Sequence, residues 1–274
     1  MPEIPRSKSG KRAFDVAADV VQEAGALLKR RSQSIEQVTF KGRGNIVTEV
    51  DSESEKLIIG RLLDEFPGFG ILAEESGRQT SDFPYAWVID PLDGTKNYSM
   101  GLPFYCVTIA LASGSDVLVG ATYDPNRQEL FQAERTAGAF LNGERLQISP
   151  RATLQSSLIG SDMGYNDTLG HYAFRMWDAV WPGMQGLRIM GSSALELAYA
   201  AAGRVDIFVH HSLFPWDIAA GTLLVREAGG LVTNRSGHPI DFLKDPSIIA
   251  ANPAIHQDFL QRTEGSEWRN PRGL

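Results

Sequence analysis

Trp87-Val88-Ile89-Asp90-Pro91-Leu92-Asp93-Gly94-Thr95-Lys96-Asn97-Tyr98 is the stretch whose reading decides the fold. The apolar run Ala86 to Ile89 reads as a buried strand, and it ends in two carboxylates with a stiffening proline between them. Gly94 permits a sharp bend, and Thr95 reads as the cap of a helix. Paired acids at a strand end suit a hard cation, which takes oxygen ligands. A helix start presents unpaired N–H groups to an anion. Cation and phosphate therefore meet within one turn of chain, which implies metal-assisted phosphoryl chemistry.

Outward from this stretch, other acids follow the same pattern. Glu74 closes the short strand Gly70–Ala73, so it too projects from a sheet edge. Asp217 lies in the first turn of an apolar helix, Trp216 to Ala228, stopped by Gly229-Gly230. It reads either as a helix cap or as another metal carboxylate brought in from far along the chain. Asp51 starts a helix and is explained by capping, but a carboxylate paired with the Thr95 hydroxyl also orients a water.

Several motifs fail on inspection. Asp51-Ser52-Glu53-Ser54-Glu55 begins like a calcium loop, but Lys56 stands where glycine is required and Leu62 where glutamate is required. Gly42-Arg43-Gly44 has Val47 in place of the third glycine of a dinucleotide fingerprint, and there is no Gly-Lys-Ser/Thr phosphate loop. An aspartyl nucleophile at Asp90 or Asp93 stays open on spacing alone. Of five histidines only His210-His211 cluster, without zinc spacing, and they read as polar residues at a strand end.

The rest of the chain supplies a mixed frame. Phe14 to Leu28 has helical periodicity closed by Lys29-Arg30-Arg31, Val38 to Val50 reads as extended, and Ser52 to Phe66 as a second helix. Phe104–Ser113, Val117–Tyr123, Glu129–Ala133 and Gly138–Leu141 form a run of strands joined by turns, which implies an antiparallel sheet. From about residue 150 short strands (157–160, 187–190, 205–209, 231–233, 247–250) alternate with helices (171–181, 192–202, 216–228, 253–263), the signature of an α/β layer. This places an N-terminal α+β unit at 1–150 and a C-terminal α/β unit at 151–274, with a frayed tail from Glu264.

Composition is that of a globular protein: 274 residues, 43% hydrophobic, 22% charged. A net charge of −7 argues against a nucleic-acid partner, which needs a basic face, but leaves a small phosphorylated substrate open because bound cations invert the local field. Cys106 is the one cysteine, so no disulfide forms within the chain, and its apolar setting reads as core. The first twelve residues lack an apolar signal core, and no run approaches the roughly 18 apolar residues of a membrane span, so no membrane partner is expected and the cytoplasm is the default location.

The two long motifs, Trp87 to Tyr98 and Trp216-Asp217-Ile218-Ala219-Ala220-Gly221 continuing to Glu227-Ala228-Gly229-Gly230, resemble the signatures of the inositol monophosphatase family, within the lithium-sensitive, magnesium-dependent phosphatases. Glu74-Glu75 before Ser76-Gly77, Val47-Thr48 with Asp51, Gly138 to Gly143 and Gly191-Ser192-Ser193-Ala194 fit as well, so the likeness runs from about residue 11 to 263. The resemblance implies a layered α/β/α/β/α sandwich, usually a homodimer, with two or three Mg²⁺ per site. Glu74, Asp90 and the Leu92 carbonyl would hold one ion; Asp90, Asp93 and Asp217 a second; Glu74 would help a weaker third. The Gly94 and Thr95 N–H groups would grip phosphate, Thr95 with Asp51 would position the attacking water, and Gly191 to Ala194 would line the sugar side.

The aspartyl-nucleophile class typically carries Asp-x-Asp, whereas this chain has Asp-Pro-Leu-Asp, which favours activated water. One departure matters. Animal inositol enzymes carry a glutamate seven residues before the second-signature aspartate, and here that position is His210. Relatives act on fructose 1,6-bisphosphate, histidinol phosphate or 3′-phosphoadenosine nucleotides, so inositol monophosphate is the first expectation and these are the alternatives, with a metal-binding relative lacking turnover as the non-enzyme reading. His210 and Lys96 are then the residues that suit a different alcohol or a second phosphate.

Overall fold

A computed structural model describes residues 3–271 except 33, 35 and 36. Helix α1 (Ala13–Arg31) buries Val16, Val20, Val21, Ala24 and Leu28 along one face and ends in three basic residues. The hairpin β1 (Val38–Gly42) and β2 (Asn45–Thr48) follows, then α2 (Glu49–Glu65). The extended reading to Val50, with a helix from Ser52, is thereby corrected. Thr48 caps the helix: its hydroxyl accepts the Val50 N–H while the Asp51 carboxylate accepts the Thr48 N–H at 2.8 Å. That reciprocal box draws Glu49, Val50 and Asp51 into the first turn.

The eight-stranded sheet is built from β3 (Gly70–Ala73), β4 (Gly77–Gln79), β5 (Tyr85–Asp93), β6 (Cys106–Ser113), β7 (Asp116–Asp124), β8 (Glu129–Glu134), β9 (Gly138–Leu141) and β10 (Glu144–Arg145). Its order is β10-β9-β8-β7-β6-β5-β3-β4, antiparallel except for β3 beside β5. The one-turn helix α3 (Thr95–Ser99) leaves the end of β5. A five-stranded sheet then combines β11 (Leu158–Ser161), β12 (Gly186–Ile189), β13 (Ile207–His210), β14 (Leu231–Thr233) and β15 (Ile248–Ala251) in the order β12-β11-β13-β15-β14. Strand β11 runs parallel to β12 and β13; β15 is antiparallel to both its neighbours.

The remaining helices are α4 (Asp167–Val180), α5 (Ser193–Ala201), α6 (Pro215–Glu227) and α7 (Pro253–Arg262). They complete five layers: α1 and α2, the large sheet, α5 and α6, the small sheet, α4 and α7. The layered α/β/α/β/α sandwich is thus the observed architecture.

Both faces of the large sheet are buried, which is why its strands read as continuous apolar runs. Trp87, Ile89, Val107 and Ile109 meet α1 and α2, whereas Val88, Cys106 and Ala110 meet α5 and α6. Helix α6 lies unusually close. A Cβ placed on Gly120 of β7 would stand 3.0 Å from the Ala220 Cα, and one on Gly221 would stand 2.6 Å from the Leu197 Cβ of α5. Small residues thus seat α6 against sheet and neighbouring helix at once.

The frayed tail expected from Glu264 is a second correction. Trp268 is buried and packs edge-on against Phe259 at 5.9 Å, so apolar burial anchors this segment at Trp268, and 272–274 lie outside the described residues. No helix among the described residues is long and apolar enough to cross a membrane.

Candidate active site

Strand β5 does not stop at Ile89. It continues past Pro91 to Asp93 through an irregularity in its pairing with β6 between Asp90 and Asp93. Across that bulge the Asp90 and Asp93 carboxylates come to offer oxygens within 4.8 Å of each other. The Leu92 N–H donates to Asp90 Oδ1 at 3.0 Å, and the Ser54 hydroxyl of α2 donates to the Pro91 carbonyl at 2.9 Å. Asp217 arrives from the other half of the chain, at the third position of α6, where its carboxylate accepts the Phe214 N–H at 2.8 Å. Its cap role and its place in the cluster coexist.

Asp90, Asp93 and Asp217 each offer an oxygen within 4.8 Å of the others, a group that could hold a metal ion. Burial and then mutual repulsion push the Asp90 and Asp217 carboxyls far above the usual carboxylate range. Burial also raises Asp93, to about 6, against the donors it receives. Among the described residues no basic side chain pairs with these three crowded acids, the condition a bound cation relieves.

Glu74 lines the same cavity but lies outside this tight trio, and its Oε1 is 3.3 Å from the Lys41 ammonium. Burial raises its carboxyl to about 7, partly offset by Lys41. The Leu92 carbonyl also faces this region and accepts the Thr95 hydroxyl at 3.0 Å.

Thr95 is not the helix cap. Gly94, in the left-handed region at φ 95°, occupies that position, and a Cβ there would crowd the Phe104 carbonyl at 3.0 Å. The Thr95 hydroxyl instead points at Asp51 Oδ1, also at 3.0 Å. The Asp51–Thr95 pair read from the sequence is therefore in contact.

The run Gly191-Ser192-Ser193-Ala194 splits. Gly191 and Ser193 line the cavity with Gly94 and His210. Ser192 and Ala194 are buried behind it and grip Asp93: the Ser192 hydroxyl and the Ala194 N–H both donate to Asp93 Oδ2, at 2.5 and 2.8 Å. His210 ends β13, stacked on His211 with ring centroids 4.7 Å apart. Burial and the neighbouring imidazole drive its pKa well down, so it is neutral. Cys106 is buried as expected, its Sγ 3.9 Å from Asp93 Oδ2.

Residues not singled out in the sequence hold the frame. Glu55 accepts the Glu75 and Ser76 N–H groups at 2.8 and 2.9 Å and so fixes the loop carrying Glu74. The Asn97 amide donates to the Phe104 and Met190 carbonyls, both at 2.7 Å, tying the start of α3 to the Gly191 loop. A signal for the first existed: Asp51, Ser54 and Glu55 share the face of α2 otherwise filled by Ile58 and Leu62, and polar groups on a buried stripe need partners.

The family model described as the inositol monophosphatase family matches residues 11–267. An inositol-1-monophosphatase of Mesorhizobium japonicum is 38% identical over 253 residues, covering 90% of this chain and 94% of the relative. A fructose-1,6-bisphosphatase/inositol-1-monophosphatase of Thermotoga maritima is 37% identical over 249 residues, covering 90% of this chain and 94% of the relative. The crystal structure of the extragenic suppressor protein suhB from Bartonella henselae superposes with a TM-score of 0.87 at 37% identity, over 92% of this chain and 98% of that one. The chain belongs to the inositol monophosphatase family, and with it to the phosphoric-ester hydrolases.

Proposed function

We propose that the chain is a Mg²⁺-dependent phosphomonoesterase acting on a small polyol or sugar phosphate, inositol monophosphate first. The observation that carries this reading is the Asp90–Asp93–Asp217 group beside the Asp51–Thr95 pair. Glu74, Asp90 and the Leu92 carbonyl would hold one ion, Asp90, Asp93 and Asp217 another, and Glu74 would assist a third. Such ions, when bound, lower the pKa of water and neutralise charge on the departing oxygen. The Thr95 hydroxyl donates its hydrogen to Asp51, so its lone pairs can accept a hydrogen bond from a water and hold that water toward phosphorus. The Gly94 and Thr95 N–H groups hold the phosphate, while Gly191, Ser193 and His210 face the alcohol. In this reading residues 1–150 supply most ligands, and 151–274 supply Asp217 and the substrate side. Lithium inhibition and a homodimeric assembly follow from the family likeness alone, and a cytoplasmic location is the default reading of the sequence.

A phosphate-release panel with Mg²⁺ tests the substrate. Inositol 1-phosphate is expected to lead fructose 1,6-bisphosphate and histidinol phosphate in kcat/KM, and a deficit of about tenfold against either rejects it as the substrate. The bisphosphate is the second reading, favoured by the name of the Thermotoga maritima relative.

The carboxyl shifts give a pH signature. Glu74 and Asp93 have folded pKa values of about 7 and 6, above those of an unfolded chain. Between roughly pH 4 and 7 the metal-free native state therefore holds protons that the unfolded state has lost, and its stability falls as pH rises through that window. Cations compete with those protons. The Tm in EDTA is expected to be lower at pH 8 than at pH 5, and the Tm gain on adding Mg²⁺ to be larger at pH 8. Equal gains at both pH values would show that metal and protons do not share these carboxylates.

A further inference from the structure

Asp162 follows the last residue of β11 and lines the same cavity as Asp93, Asp217 and His210. Its Oδ1 accepts the Met163 N–H at 2.6 Å, and Oδ2 takes no hydrogen bond from any described residue. Burial raises this carboxyl, offset by the Met163 N–H and by the charge of Lys96. The Lys96 ammonium sits 4.5 Å above the Tyr165 ring and has no acidic partner within ion-pair distance among the described residues. Across the cavity the Ser212 N–H donates to His210 Nδ1 at 3.0 Å, so the neutral ring carries its proton on Nε2. Gly164 leaves that edge room: a Cβ there would stand 3.1 Å from the His210 Cε1 and 3.5 Å from Nε2.

The alcohol side of the site thus includes an acceptor-only group, Asp162, and the donors Lys96 and His210 besides the Ser193 and Tyr165 hydroxyls. A hydroxyl both donates and accepts, so it can satisfy both kinds of group. An ionised phosphate only accepts and is repelled by the carboxylate. We propose that Asp162 is a specificity-determining residue: its unengaged oxygen takes hydroxyl hydrogens of a neutral polyhydroxylated alcohol and disfavours a second phosphate at that position. This rests on the phosphatase reading above and narrows its substrate class to polyol monophosphates.

The test compares inositol 1-phosphate with cyclohexyl phosphate, the same ring without hydroxyls, in the wild type, Asp162→Ala and Asp162→Asn, with Mg²⁺ affinity measured calorimetrically. A hydrogen bond to a charged group predicts a loss of about 10- to 100-fold in kcat/KM on inositol 1-phosphate in Asp162→Ala. Cyclohexyl phosphate turnover and Mg²⁺ affinity stay within about threefold, and Asp162→Asn, which keeps the volume, shows the same selective loss. A parallel loss on both esters overturns the proposal, because Asp162 would then act on the metal carboxylates or the fold. An unchanged ratio between the esters overturns it as well. If the wild type releases phosphate from neither ester, the polyol monophosphate reading under Proposed function fails and takes this inference with it.

Discussion

Asp93→Asn is expected to lower kcat by about 100-fold or more at saturating Mg²⁺, the cost of removing one transition-state charge contact. The reason lies in what already holds the side chain. Asp93 Oδ2 receives the Ser192 hydroxyl and the Ala194 N–H. Two donors at that atom oblige an asparagine to place its carbonyl oxygen there. Its NH₂ group then takes the place of Oδ1, presenting hydrogens where the carboxylate had a second oxygen for a cation. Misfolding is separable from this effect. The substitution removes one of three crowded carboxyls, so in EDTA at pH 8 the variant's Tm should equal or exceed that of the wild type. The Tm gain on adding Mg²⁺ should shrink. A kcat within threefold of wild type would eliminate Asp93 as a ligand.

Gly120→Val is expected to reduce stability by about 3 kcal/mol, with a Tm fall of about 10 °C, and to lower kcat as well. At this position the added carbon meets backbone, the Ala220 Cα at 3.0 Å and the Ala220 carbonyl at 3.1 Å, so no rotamer relieves the clash. Helix α6 must lift off β7. It cannot retreat freely, because Gly221 on its other side is already pressed against Leu197. Asp217 sits at the start of that helix, and a shift of the helix carries it away from Asp90 and Asp93. Gly60→Ala is the control. Gly60 lies on the exposed side of α2 with nothing within 4 Å of the new carbon, and the change should raise stability by about 0.5–1 kcal/mol. A Gly120→Val protein with wild-type Tm would show that the seat of α6 is slack.

What the sequence disclosed and what it withheld follow from the range of the forces involved. The carboxylates at Asp90, Asp93 and Asp217 were legible because strand ends, turn residues and helix starts are marked locally, and the two family signatures contain them. The layer order was legible through the family likeness, and the antiparallel run through its turns. The start of α2 was not, because the reciprocal Thr48–Asp51 bonds outbid the extended preference of Val50. The path of β5 through Pro91 was hidden too, since it depends on a bulge against β6. Likewise Thr95 resembles a cap by type, but Gly94 in a left-handed conformation takes that place. Ser192 and Ala194 belong to a run that looks uniform in sequence. Only the three-dimensional approach of α5 to β5 separates the residues that face the cavity from those that brace Asp93.

The order of the small sheet has a consequence for how the protein comes into being. Strand β15 lies between β13 and β14, although both precede it in the chain. During synthesis, β13 and β14 emerge with the slot between them empty, and their edges stay unpaired until Ile248–Ala251 has left the ribosome. The sheet beneath α6 closes only then, so Asp217 reaches its final place among the last events of maturation. A nascent chain halted before Ile248 should therefore be prone to aggregate and unable to retain metal, even though every carboxylate of the site has already been translated.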